Sequence, residues 1–427
     1  MKTAYCSGVI LDGTENMTPQ FGKTVFVENG IITGIEEASE DRLSGCEVVD
    51  LNGKYLLPGL INLHAHLPGS GKPEKKPLKI DFLVRLLTSN ALLKQIGYGL
   101  VAKNAKIVLM SGVTTVRAAG SPADFDSKVR DDINGGKRVG PRILTPNCAI
   151  SVEGGHMAGS FAYIAHSKEE AAELVDKIAK DRPDLIKLMV TGGIMDSDSF
   201  GEPGVLRMPP EYIKAACGRA HELGYKVAAH CEGHIGVIEA LKNGVDTIEH
   251  GCMPSEEIIK LFKQKKAAHV LTLSPAIPYM KRLNNIHNMT EAAAKNSEVL
   301  VKGMVELAKR CIKENIPLGL GTDSGCTYVT NYDFWREINY FVKYCGVDTA
   351  FALHTATLEN ARIAGIDSFT GSIEVGKKAD MIAVEKNPLE DISALRNVSM
   401  VVFEGKRYDD PKVKKYPEVE EALDSLM

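Results

Sequence analysis

Leu57-Pro58-Gly59-Leu60-Ile61-Asn62-Leu63-His64-Ala65-His66 is the stretch on which the fold turns. A Pro-Gly break feeds a short apolar run, and the run ends in two histidines spaced i, i+2. It is too short for a helix and reads as a buried strand. On a strand, i and i+2 point to the same side, so both imidazoles leave the strand end together. Neutral imidazole is the commonest protein metal ligand. A bare His-x-His also occurs in ordinary cores and on surfaces, so its meaning depends on the rest of the chain.

From Leu57 onward the rhythm is strand, then helix, repeatedly. After 57–66 the strands are 113–117, 142–145, 185–190, 226–230, 246–250, 269–273 and 318–323. Helices are expected over 80–109, 169–178, 211–223, 236–242, 255–265 and 292–314, with Gly224 as a C-cap. Apolar strands separated by helices imply a parallel sheet covered on both faces. Eight such units over 57–366 fit a closed (β/α)8 TIM barrel, with an open doubly wound sheet as the alternative. Residues 1–56 are β-rich, with hairpin turns such as Asn29-Gly30. The chain returns to β after residue 366. The two ends, 1–56 and 367–427, are therefore expected to form one discontinuous β-sandwich domain.

Composition narrows the function. The 427 residues are 44% hydrophobic and 25% charged, which suits a globular protein with a sizeable core. A net charge of −4 gives no electrostatic case for nucleic acid or an anionic membrane. Nine cysteines without a CxxC pair suggest reduced thiols and a cytoplasmic location. The first residues lack a signal-peptide core, and no apolar run approaches transmembrane length. The expected partner is a small-molecule or dipeptide substrate, and a homo-oligomer is expected.

In a (β/α)8 barrel, chemistry sits at the C-terminal ends of the strands. Strand one ends in His64 and His66, and strand four carries Lys187. Strands five, six and eight end in His230, His250 and Asp323. Any one of these is unremarkable, but their joint placement is not.

These residues carry a resemblance to the amidohydrolase superfamily over essentially the whole chain. Its further carriers are Gly112-Val113-Thr114-Thr115, Thr247-Ile248-Glu249-His250-Gly251, Gly321-Thr322-Asp323 and the run 371–380. Within the superfamily the chain most resembles the prolidase-like group of Xaa-Pro and Xaa-Arg/Lys dipeptidases, related to ochratoxin-type amidases. The resemblance implies two zinc ions. His64, His66 and Asp323 would hold one, His230 and His250 the other, and a carboxylated Lys187 would bridge them. It implies an amidohydrolase in which a metal-bridging hydroxide cleaves an amide bond in a dipeptide or N-acyl amino acid. Asp323 would shuttle the proton, and His156 would stabilise the carbonyl oxygen as it becomes anionic.

Four residues are candidates for substrate contact: Glu232, Arg117, His234 and Tyr279. The prolidase-like group typically has a tyrosine two residues after the strand-five histidine, and Glu232 stands there instead. An acid at that place would favour a cationic group on the substrate. Arg117 suits either a substrate carboxylate or a structural ion pair. Tyr279 falls in an expected long loop after strand seven. The alternative function is a mononuclear deaminase or cyclic-amide hydrolase of the same fold. Deaminases typically carry a glutamate three residues after the strand-five histidine, where this chain has Gly233. A second alternative is a non-enzymatic scaffold, against which the six ligand-type residues argue.

Overall fold

The computed structural model describes residues 2–73, 80–196, 200–201, 203–284, 286 and 289–427, with Met195 described by its backbone. The chain divides into two compact units. The first comprises Met1–Asn62, Lys106–Val116 and Tyr332–Lys414. The second comprises Leu63–Ala105, Arg117–Asn331 and Lys415–Met427. The C-terminal helix Pro417–Asp424, in a tail read from the sequence as part of the β unit, belongs to the second unit and buries Val419 and Leu423.

The first unit holds two sheets. One runs Ile31–Glu36, Thr24–Glu28, Lys2–Cys6, Glu47–Asp50 in spatial order. Its first hairpin closes through Asn29-Gly30, with φ of 51° and 80°. Two left-handed residues make the turn whose twist matches paired strands, and Asn-Gly is the sequence that tolerates it. The other sheet runs Lys406–Asp409, Val398–Phe403, Met381–Val384, Tyr55–Pro58, Val9–Ile10. Met381–Val384 pairs antiparallel with Tyr55–Pro58, so strands from both ends of the chain share a sheet. Tyr5, Val25, Ile32, Leu56, Met381 and Val402 from the two sheets pack into one apolar cluster.

The second unit is built on seven parallel strands. Their order is Ala162–Ala165, Ala149–Val152, Ile186–Met189, Val227–Cys231, Thr247–His250, Ala268–Leu271, Leu318–Leu320. Every neighbouring pair is parallel. The intervening helices start where side-chain caps allow. Ser167, Ser255 and Thr290 each accept a bond from a backbone N–H three residues on. Gly224, with φ of 82°, follows helix Pro210–Glu222 in the left-handed geometry that ends helices. A further sheet joins Leu60–Ala65, Val113–Ala118 and Arg142–Leu144. Beyond Leu320 the chain bends onto the start of this unit. The backbone N–H groups of Thr322 and Asp323 donate to the His64 carbonyl at 3.1 and 2.8 Å, and His66 N–H donates to Ser324 O at 2.7 Å.

Three expectations need correction. Ala149–Val152 and Ala162–Ala165 are extra strands in a stretch that the sequence leaves as loop. The stretch expected as a long loop after the seventh strand contains the short helix Ala276–Met280. The strand expected over 57–66 is two strands, Tyr55–Pro58 and Leu60–Ala65, broken at Gly59. A Cβ at Gly59 would stand 2.1 Å from Thr114 Oγ1, so the chain can pass there only without a side chain. Gly59→Ala should therefore cost about 1–3 kcal/mol of stability as an overpacked site, read as a lower thermal midpoint. Thr114→Ala in the same chain, which removes the clashing Oγ1 and Cγ2, should recover part of it, and an unchanged midpoint for Gly59→Ala would contradict the packing argument.

Candidate active site

His64 lies in strand Leu60–Ala65, and His66 follows it on the same side. Lys187 is in strand Ile186–Met189, His230 in Val227–Cys231 and His250 at the end of Thr247–His250. All six ligand-type residues read from the sequence line one cavity of about 80 Å³: His64, His66, Lys187, His230, His250 and Asp323. The Nε2 atoms of His64 and His66 lie 3.4 and 3.2 Å from Asp323 Oδ1. The His250 ring centroid is 4.9 Å from that of His64 and 4.5 Å from that of His230.

Hydrogen bonds on the far nitrogens orient each imidazole. His64 Nδ1 meets Glu249 Oε2 at 2.7 Å, His66 Nδ1 meets Gly120 O at 3.0 Å, and His250 Nδ1 meets Thr272 Oγ1 at 2.7 Å. A carboxylate or carbonyl can only accept, so the first two Nδ1 atoms carry hydrogen. The Nε2 lone pairs of His64 and His66 are then left for the cavity, and the Thr272 contact likewise leaves His250 Nε2 as the free ring nitrogen. His230 is turned the other way, with Nε2 3.3 Å from Gly192 O, which leaves Nδ1 for the cavity. Burial, aided by the Lys187 charge, lowers His64 to about 4. Burial also holds His230 and His250 well below the ordinary imidazole range. All three are therefore neutral, the form in which imidazole binds a metal.

Lys187 is buried, and its Nζ has no hydrogen-bond partner among the described residues. Burial lowers its pKa to about 8, against the opposing charge of Glu249. Buried polar atoms are normally satisfied. An orphaned amine facing neutral imidazoles and a carboxylate is a donor set that suits divalent metal.

The sequence reading missed Glu249. Its two oxygens accept from Arg117 Nη2 at 2.7 and 2.8 Å, from Thr247 Oγ1 at 2.7 Å and from His64 Nδ1. Burial alone would raise its pKa, but Arg117, Lys187 and His64 hold it well below the usual carboxylate range. Arg117 is spent on this pair and on Leu63 O at 2.7 Å. It does not line the cavity, so of the two roles considered for it the structural ion pair is the one found.

At the cavity wall His156 stacks on His230, with centroids 4.3 Å apart and planes 8° apart. Its Nδ1 lies 2.5 Å from Asp196 Oδ2. Burial raises Asp196, but the His156 bond and charge outweigh it and leave the pKa lowered. Tyr279 also lines the cavity, from helix Ala276–Met280. Cys326 lines it too, a position that no motif marked. Glu232 projects to the same side as His230, as the i, i+2 rule requires. His234 starts the next helix and opens onto a neighbouring cavity of about 440 Å³, which shares Glu232 and Leu300 with the first.

Residues 55–408 match the model of the amidohydrolase family. The chain belongs to this family. It is 26% identical to an ochratoxinase from Aspergillus niger over 391 residues, covering 85% of this chain and 77% of that protein. It is 25% identical to an imidazolonepropionase from Geobacillus sp. (strain WCH70), covering 84% of this chain and 82% of that protein. A solved Xaa-Pro dipeptidase with methionine in its active site matches with a TM-score of 0.82 and 29% identity, over 96% of this chain and all of that one. The chain is thus a hydrolase of a family that generally uses divalent metals. Among the described residues no helix is long and apolar enough to cross a membrane.

If Arg117 serves Glu249, its removal leaves a buried carboxylate unpaired. Arg117→Met should cost about 3–5 kcal/mol of stability, the range for breaking one side of a buried ion pair. A variant with wild-type thermal stability but a raised KM for carboxylate substrates would return Arg117 to the substrate.

Proposed function

We propose that the protein is a binuclear metal-dependent amidohydrolase that cleaves an amide bond in a dipeptide or N-acyl amino acid. The convergence of six ligand-type residues on one cavity around an orphaned lysine carries this reading. His64, His66 and Asp323 would hold one zinc ion and His230 and His250 the other. Lys187 would bridge them as a carbamate. Its neutral amine adds to carbon dioxide, forming an N–C bond and releasing a proton, and the product supplies two anionic oxygens.

When bound, such ions lower the pKa of water and polarise a carbonyl. Asp323 then takes the proton of the attacking water and delivers it to the leaving amine. His156, braced by Asp196, lines the cavity beside His230, where it would stabilise the carbonyl oxygen as it becomes anionic. Tyr279 lines the same pocket, and His234 the wider cavity.

We infer further that the parallel strands close a (β/α)8 barrel over 57–366. The bonds from Thr322 and Asp323 to His64 O support closure. The shared core of the two terminal sheets supports a β-sandwich built from strands of 1–56 and of 367–414. Nine free cysteines support a cytoplasmic location. Exposed Phe82, Leu86, Leu92 and Ile96 on helices Ile80–Thr88 and Ala91–Met110 support a homo-oligomer. Cyclic-amide hydrolysis by one metal is the second reading, supported by the likeness to imidazolonepropionase. Metal per chain, together with a screen of dipeptides, N-acyl amino acids and cyclic amides, separates the two. Turnover of cyclic amides alone, with one metal per chain, would overturn the first.

Lys187→Ala should lower metal content and activity sharply, with partial rescue by small carboxylic acids that replace the carbamate. Elemental analysis showing two tightly held ions and full turnover in that variant would remove the bridging role. Asp323→Asn should keep its circular dichroism spectrum yet lose at least the 10²–10⁴ in kcat, roughly, that general acid–base catalysis supplies. A kcat near wild type would contradict the shuttle.

A further inference from the structure

We propose that Glu232 is itself a metal ligand, completing with His230 and His250 a two-histidine, one-carboxylate site that does not need Lys187. The proposal rests on the metal-dependent reading above and adds a donor specific to this chain. The sequence suggests a substrate-contacting role for Glu232, and the geometry points elsewhere. One ligand atom each from His230, Glu232 and His250 lies within 4.8 Å of the other two, and all three residues are buried. Ligand atoms around one tetrahedral zinc, at about 2.0–2.2 Å from it, stand roughly 3.5 Å apart. A small inward shift of the side chains closes that gap.

Among the described residues, the surroundings of Glu232 supply no cationic side chain for its charge. Its Oε2 has no hydrogen-bond partner among the described residues. The backbone N–H of Ile194 bonds the carboxylate, and the nearby charges of Asp323 and Asp196 are both negative. An ionised carboxylate buried without a partner is costly, and a divalent cation relieves that cost directly. Two histidines and a glutamate are an established zinc donor set. Cys231, between the two donors, is buried with its Sγ 3.8 Å from Gly236 O and does not line the cavity. Glu232 comes directly after the strand Val227–Cys231, two positions from His230, and both line the cavity.

The consequence is a pair of sites that each keep three protein ligands without the Lys187 bridge. His64, His66 and Asp323 serve one, and His230, Glu232 and His250 the other. Zinc per chain is measured by elemental analysis after dialysis of the full chain against buffered free zinc. The samples are wild type, Glu232→Gln, Lys187→Ala and the double variant, each checked for fold by circular dichroism. Wild type should hold about two ions, and the double variant should hold about one ion fewer than Lys187→Ala. Glu232→Gln alone should weaken one of the two sites by more than the roughly 10–100-fold that losing an outer partner costs. Its cobalt-loaded form should show a changed visible absorption. Because a buried glutamine can disturb packing, Glu232→Asp is the second variant. In the Lys187→Ala background it should keep the ion that Glu232→Gln loses. Equal metal content in Lys187→Ala and the double variant, or wild-type zinc affinity in Glu232→Gln, overturns the ligand role while leaving the binuclear reading intact. A wild-type chain that takes up no divalent metal overturns both.

Discussion

The buried carboxylate of Glu249 is the fixed point of this site. It faces Arg117, Thr247 and His64 at hydrogen-bond distance and feels the charge of Lys187. Its first effect is on one proton. By accepting from His64 Nδ1 it decides the tautomer and turns Nε2 toward Asp323. Its second effect is on charge. The cavity gathers histidines, a lysine and Asp323, and Glu249 adds a further negative charge next to His64. Arg117 makes that charge tolerable, and Leu63 O and Thr247 hold Arg117 in turn. The pair joins the strand of His64 to the strand of His250, so the orientation of one ligand and the packing of two strands rest on the same few atoms.

Much of this was legible before any coordinates. Six residues at the ends of alternating strands stand together because strands of a parallel sheet run the same way and end on the same side. Pattern reading failed where the local signal was weak or the reason was non-local. Ala149–Val152 and Ala162–Ala165 have four residues each and are separated by a glycine-bearing stretch, so neither carries enough periodicity to stand out. Gly59 breaks its strand because of Thr114, 55 positions away by numbering, and no window around Gly59 contains that fact. Arg117 has two equally ordinary fates on sequence grounds. Only the position of Glu249, set by another strand, decides between them.

Glu249 and His250 show why adjacent residues can both serve one site. The strand rule sends neighbours to opposite faces, so a ligand at 250 would seem to exclude a role for 249. The register shows Glu249 paired with His230, so it shares the inward face with that ligand. His250 should then point away. Its φ of 69° is left-handed, and the backbone turns at that residue to bring the ring back over the strand end. Asp323 does the same with φ of 58° just beyond Leu318–Leu320. Non-glycine residues in this region are uncommon, and such strain persists where surrounding structure fixes it. Here it is fixed by bonds on either side. His250 O meets His269 Nε2 at 2.6 Å, and Asp323 N–H donates to His64 O at 2.8 Å. The regular strands thus deliver His64, Lys187, His230 and Glu232 by simple alternation. The two bent ends add His250 and Asp323 from above, and closing a cavity with ligands on several sides requires both kinds of placement.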